Sequence, residues 1–195
     1  MMSSKNTDST LDIKNSVRIE DLNGTVHMEF YYGYPNYRFL LDKINNYDDQ
    51  LEGVQKLFNK FTGSNNVWFS LLFFESDFDS TKLIGFYYGT KHENISKDSY
   101  IELSQGFRGK SLRKRDIRLA KGLCREFAGF TFKQIITQLE VDVIRLNNAA
   151  GIPGCLCYTR AAIDYGFVPH DVFDRPINNP KAECSPPHIV IKVHK

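Results

Sequence analysis

The sequence predicts a mixed α/β (α+β) domain with a mostly antiparallel central sheet flanked by helices. Three observations carry this. Aromatic and β-branched runs of strand length crowd the first half of the chain, and a short polar connection joins two of them, as "FDSTK" joins "VWFSLLFFESD" to "KLIGFYYGT". From Ser111 the apolar spacing lengthens to the helical period. Strand-like and helix-like stretches then follow one another to the carboxyl terminus. With 195 residues, 42% hydrophobic and 13% aromatic, the chain can enclose the core of a single domain.

Residues 1–14 are small and polar and predict a disordered tail, so the domain is expected to span 15–195. In "VRIEDLNGTVHMEFYY" the Asn23-Gly24 turn signal separates two alternating runs, which fits either one bent strand or a hairpin. Two short helices are expected in "NYRFLLDKINN" and "DDQLEGVQKLFNKFTG". Leu51, Val54, Leu57, Phe58 and Phe61 keep helical spacing there, and Gly63 stands where a C-cap glycine would. The hairpin follows, with Trp68, Phe69, Phe73 and Phe74 expected in the core.

"SYIELSQGF" continues as a strand with Ile101 and Leu103 on one face and Tyr100, Glu102 and Ser104 on the other. Over Ser111–Phe127 the positions Ile117, Ala120, Cys124 and Phe127 form a helical stripe. "FKQIITQLEVDVIRL" reads as a strongly apolar strand. "IPGCLCYTRAAIDYGF", with proline near its start and glycine near its end, reads as a helix. "PPHIVIKVHK" closes the chain as a strand, after a loop from His170 to Pro187.

The net charge of +2 is unevenly placed. Between Arg108 and Arg125 eight basic residues face the single acid Asp116, a local charge of +7 that leaves −5 for the rest of the chain. No uninterrupted apolar stretch approaches the roughly 18 to 20 residues of a membrane span, and "MMSSKNTDST" has no apolar leader core. Cys124, Cys155, Cys157 and Cys184 in a chain of this length do not suggest a disulfide framework. A reduced, soluble, cytoplasmic protein with structural cysteines is expected. Cys155 and Cys157, two apart on a helix, point about 200° away from each other, so no metal is expected there, and His170 and Cys184 add no zinc spacing.

Three segments in this order resemble the GNAT N-acetyltransferase superfamily, over roughly residues 17–195. They are "KLIGFYYG" with Gly85 after two apolar residues, "IELSQGFRGKSLRKRDIRLAKGLCREF", and "ITQLEVDVIRLNNAAG…YTRAAIDYGFV" with its closing Gly166-Phe167. The resemblance implies transfer of an acetyl group from acetyl-CoA to a primary amine. It places the CoA site at Leu103, Ser104, Gln105, Arg108, Gly109, Lys110, Ser111, Arg113 and Asn148. A loop running into a helix offers unpaired N–H groups and a positive dipole end to a pyrophosphate, and Arg108, Lys110 and Arg113 add cations. This chain differs from the family's loop at two positions that are usually small: Ser111 replaces the first glycine and Arg113 the second small residue. Ser111 keeps an N–H and can cap the helix, whereas Arg113 either blocks the backbone's approach to the phosphates or contacts one.

The attacking amine must first lose a proton, and the family often keeps a carboxylate for this on the strand before the loop, which here is Glu102. Glu75 and Asp77 are further candidates. The leaving thiolate needs a proton donor, and a tyrosine suits it because its reference pKa of about 10 exceeds the thiol's roughly 8.5. The family's usual tyrosine position is Ala162 here. Tyr158, one helical turn earlier, is the expected acid, with Tyr165 as the other option. The expected partners are acetyl-CoA and an amine acceptor, either a small molecule or a protein, with no membrane involved. The alternative is a catalytically inactive binding module whose basic 108–125 helix engages an acidic partner or nucleic acid. That helix lacks the interleaved aromatics that stack single-stranded bases.

Overall fold

The computed structural model describes residues 15–19, 24–32, 66–77, 82–92, 100–104, 120–147, 151–184 and 188–193. The expected tail, the two expected helices between 36 and 63, the 105–119 segment and Asn148 lie outside these residues. Eight strands form one sheet: β1 (Asn15–Ile19), β2 (Gly24–Tyr32), β3 (Val67–Ser76), β4 (Lys82–His92), β5 (Tyr100–Ser104), β6 (Val143–Asn147), β7 (Phe167–His170) and β8 (His188–Val193). Three helices are described: α1 (Ala120–Leu139), α2 (Gly151–Asp164) and the short α3 (Pro180–Glu183). The expected mixed, mostly antiparallel sheet with flanking helices is present.

The strand order is β1-β2-β3-β4-β5-β6-β8-β7. Of the ambiguous readings near Gly24, the hairpin is adopted: β1 and β2 pair antiparallel from Asn15↔Met28 to Ile19↔Gly24. The expected β3–β4 hairpin forms, with a register shift between Leu72 and Phe73. Every neighbouring pair is antiparallel except β5 and β6, which run parallel from Tyr100↔Val143 to Leu103↔Leu146. Parallel neighbours require a long crossover, and α1 supplies it.

The segment "FKQIITQLEVDVIRL" is not one strand. Residues 132–139 continue α1, and only Val143–Asn147 is extended. The β-branched Ile135, Ile136 and Thr137 suggest a strand locally, but Phe127, Thr131, Ile135 and Leu139 recur at helical spacing and all four are buried. Burial against the sheet outweighs a propensity of a few tenths of a kcal/mol per residue. Glu140 ends the helix in a left-handed conformation, φ 51°. Two elements appear where the sequence suggested only a helix end and a loop. β7 pairs antiparallel with β8, and α3 starts at Pro180 with the N–H groups of Asn178 and Asn179 donating to the Glu183 carboxylate.

The main core lies between one face of the sheet and α1 and α2. Val26, Met28, Trp68, Leu72 and Ile144 meet Phe127, Phe130, Ile135, Cys155 and Ala162 in one buried cluster. Inside it the Ser70 and Thr131 hydroxyls lie 2.7 Å apart, and Thr131 donates back to the Phe127 carbonyl at 2.8 Å. The other face of β2 and β3 is buried too, at Tyr31, Phe69, Leu71 and Phe73.

The cysteines are not thiols. Cys124 is bonded to Cys157, and Cys155 to Cys184. The roughly 200° between Cys155 and Cys157 on α2 keeps them apart, and it also aims each at a different neighbour, Cys157 at α1 and Cys155 at the end of α3. Chain length and spacing carried no trace of these two pairings, because the partners are brought together by the packing of α2.

Candidate active site

Chain direction gathers several ends in one place. Because β6 is parallel to β5, α1 must return from the carboxyl end of β5 to the start of β6. β7 is antiparallel to β8, which is antiparallel to β6, so β7 also runs with β6 and α2 makes the same return journey. Both helices therefore run in the direction from the finish of β5 and β6 back towards the starts of β6 and β7. Contacts between the two helices set residues 124–126 of α1 against the middle and the end of α2: Cys124 joins Cys157, Arg125 pairs with Asp164, and Tyr165 donates to Glu126.

The opening of α2 is uncrowded. Gly151 has φ +66° with nothing within 4 Å of where a Cβ would stand, and Ile152 and Pro153 are exposed. The segment carrying Arg108, Gly109, Lys110, Ser111 and Arg113 leaves β5 at this same end, since it connects Ser104 to α1, although its own residues and Gln105 are outside the described set.

Leu103 and Ser104 close β5. Leu103 is in register with Gly89 on one side and Leu146 on the other, whereas Ser104 pairs with Tyr88 and lies one residue beyond the last β5–β6 pair. Glu102 is in register with Thr90 and Arg145. Glu75 and Asp77 are distant from this point. Phe69 is level with Tyr88 and hence with Ser104, and Glu75 is six residues further along β3, about 20 Å at strand rise. Glu75 is exposed and lies 2.9 Å from His27.

Tyr158 is buried on the face of α2 that meets the sheet. Its ring lies 6.2 Å from that of Tyr87, edge-on, and 6.4 Å from that of Phe132. Tyr87 precedes Tyr88, the partner of Ser104, so Tyr158 packs on the strand next to β5. Ala162, at the position where the family usually has tyrosine, is fully buried. Tyr165 sits elsewhere, between α2 and α1 against Gly129, with its hydroxyl 3.3 Å from Glu126. Burial first, and the Glu126 carboxylate second, raise its pKa above the ordinary tyrosine value.

A buried pair escaped the sequence reading. Tyr31 donates to Glu29 at 2.6 Å, and both are buried on the face of β2 turned away from α1 and α2. Glu29 is level with Leu71 and Phe86, two residues past the Tyr31–Phe69–Tyr88–Ser104 row. The alternation His27, Glu29, Tyr31 looks like a solvent face in sequence, and nothing local signals that it is covered. Among the described residues no group of three or more His, Cys, Asp or Glu side chains is placed to hold a metal, and no helix is long and apolar enough to cross a membrane.

No family model matches the chain, and neither does any curated protein. Among solved structures it is similar to spermidine N-acetyltransferase from Vibrio cholerae in complex with CoA and spermine, at 17% identity over 85% of this chain and 92% of that one, TM-score 0.43. A dodecameric structure of spermidine N-acetyltransferase from the same organism is similar at 18% identity over 86% and 91% of the two chains, TM-score 0.42. A Vibrio cholerae protein described as a ribosomal-protein-serine acetyltransferase is similar at 12% identity over 94% and 99%, TM-score 0.45.

Proposed function

We propose that the chain is an N-acyltransferase that moves an acetyl group from acetyl-CoA to a primary amine by direct attack. The observation that carries this reading is the parallel β5–β6 pair in an otherwise antiparallel sheet, bridged by the α1 crossover. Gly151 has open space around it, and the cationic 105–119 segment follows Ser104 directly in the chain.

Acetyl-CoA supplies the activated acyl thioester. Arg108, Lys110 and Arg113, with the backbone of Gly109 and Ser111, would bind its phosphates. Leu103, Ser104 and Gln105 at the end of β5, and Asn148 just past β6, would hold its extended arm through main-chain and amide hydrogen bonds. Glu102, directly or through a water, would take the proton from the incoming ammonium. Tyr158, packed on β4 next to β5, would return a proton to the departing sulfur. The −5 charge carried outside the basic segment favours a cationic acceptor.

Calorimetric titration with acetyl-CoA at near-physiological salt tests the reading. Micromolar binding, followed by release of free CoA thiol in the presence of amines, is the expected result. No binding at millimolar ligand would overturn it and leave the basic segment as a docking element for an acidic partner.

A further inference from the structure

We propose that Arg145 selects the acceptor, and that the acceptor is a zwitterion: an amino acid whose amine is acetylated while its carboxylate rests on the Arg145 guanidinium. The proposal deepens the function given above and rests on it for the transfer step. Its starting point is strand parity, since residues two apart on a strand share a face of the sheet with each other and with their direct cross-strand partners. Ile144 and Leu146 are buried in the core beneath α1 and α2, so Arg145 between them belongs to the opposite face, where it is exposed. One row of that face runs Thr90–Glu102–Arg145–Val190–His170, from β4 through β5, β6 and β8 to β7.

The cover over this face stops short of β6. Across β2 and β3 it is buried, at Glu29, Tyr31, Phe69, Leu71 and Phe73. Tyr88 and Thr90 on β4 are half-buried, Arg145 on β6 is exposed, and Val168 and His170 on β7 are half-buried. The face therefore opens between β4 and β6, where the candidate base Glu102 has its register position.

The charges of the open part are mostly positive. From β5 to β7 its register positions hold Arg145, Lys192, His170 and His188, and the one acid among them is Glu102. Asp142 lies ahead of β6, three residues from Arg145, and Asp171 follows β7 and is held by Arg175. A polycation meets repulsion on such a face, whatever the net charge of the whole chain.

An amino acid suits both members of the Glu102–Arg145 pair. Adjacent strands lie about 4.8 Å apart, so an ammonium at Glu102 and an anion at Arg145 belong to one small molecule whose charges are a few bonds apart. A guanidinium has five N–H donors in a fixed fork that matches a carboxylate bidentately, so it can hold a neighbour in the protein and still receive the ligand. In the transfer the amine nitrogen bonds to the thioester carbon and the C–S bond breaks. The nitrogen gives up two protons, one to solvent through Glu102 and one that ends on the departing sulfur by way of Tyr158. The products are an N-acetylamino acid and free CoA.

The test offers the full chain acetyl-CoA with each common amino acid, with the matching carboxamide and with spermidine, and follows release of CoA thiol. Binding of the same amino acids without acetyl-CoA is followed by saturation-transfer NMR. The best amino acid is expected to show a kcat/KM about 10- to 100-fold above that of its carboxamide, the range of a hydrogen bond to a charged group, with spermidine below both. Arg145→Gln should bring amino acid and carboxamide to the same kcat/KM, and Arg145→Lys should restore part of the difference, while melting temperature and acetyl-CoA affinity keep the wild-type values. Equal use of acid and carboxamide by the wild type, a preference for spermidine, or an undiminished preference in Arg145→Gln overturns the proposal. If no amine is acetylated, the NMR separates the two readings. Amino-acid binding that disappears in Arg145→Gln upholds the site and refutes the transfer, and no binding refutes both.

Discussion

Tyr158 and Tyr165 lie within two turns of each other, yet their surroundings give them different work. Tyr158 is packed against Tyr87 and Phe132, so Tyr158→Phe keeps the ring contacts and removes only the hydroxyl. Turnover should fall about 100-fold, within the range a positioned proton donor supplies, while acetyl-CoA affinity and melting temperature hold. Steady-state kinetics beside calorimetry separate these, and an unchanged rate would remove Tyr158 from the mechanism. Tyr165 instead fills the space left by Gly129, where an added Cβ would collide with its ring. Its raised pKa means that the folded state holds this proton longer than the unfolded chain does. The resulting stability is fully present below about pH 10, the unfolded value, and is lost as pH rises through the folded pKa. Thermal melts from pH 9 to 11 should fall less steeply for Tyr165→Phe than for the wild type, and parallel slopes would contradict the assignment.

At the scale of an element, the end of α1 and the turn after β7 are both specified by single residues. Glu140 closes α1 with a positive φ, a conformation that costs a side chain about 1 kcal/mol and glycine almost nothing. Glu140→Gly should therefore raise unfolding stability by about 0.5–1 kcal/mol in urea titrations, and a loss would mean that the Glu140 side chain makes a contact of its own. After β7, Asp171 accepts from the N–H groups of Phe173 and Arg175 and from the Arg175 guanidinium. Desolvation works to raise its pKa, but these hydrogen bonds and the Arg175 charge outweigh it and hold the carboxyl below its usual range. The contribution is present above the unfolded pKa near 4 and is lost as pH falls through the folded one. Asp171→Asn should speed proteolysis at 171–177 at neutral pH, and should do so less below pH 3, where the wild-type carboxyl is also neutral. Equal cleavage of the two proteins at neutral pH would show that the turn does not need the charge.

For the whole molecule, the two disulfides close loops of sequence separation 33 and 29. Chain entropy assigns each about 3–4 kcal/mol, a large share of the stability of an ordinary domain. Cys155→Ala/Cys184→Ala should lower the midpoint of denaturant unfolding accordingly, and an unchanged midpoint would show that this bond does not form in solution. Both bonds converge on α2, the helix that carries Tyr158 and begins beside the proposed anion site.

Patterns a few residues long were enough to read much of this chain. Two-residue alternation marked the β3–β4 hairpin, β5 and β8, Pro153 and Gly166 bracketed α2, and the crowding of positive charge after Arg108 marked the segment that joins β5 to α1. These features are legible because backbone propensity, turn chemistry and charge act on near neighbours. Residues 132–139 went the other way, from an apparent strand to a helix, because the sheet beneath α1 rewards a stripe that local propensity does not favour. The burial of Glu29 with Tyr31, the short β7 and the pairing of four cysteines were equally invisible. Each depends on which distant segment arrives alongside, and that is settled only when the whole sheet and its helices have packed.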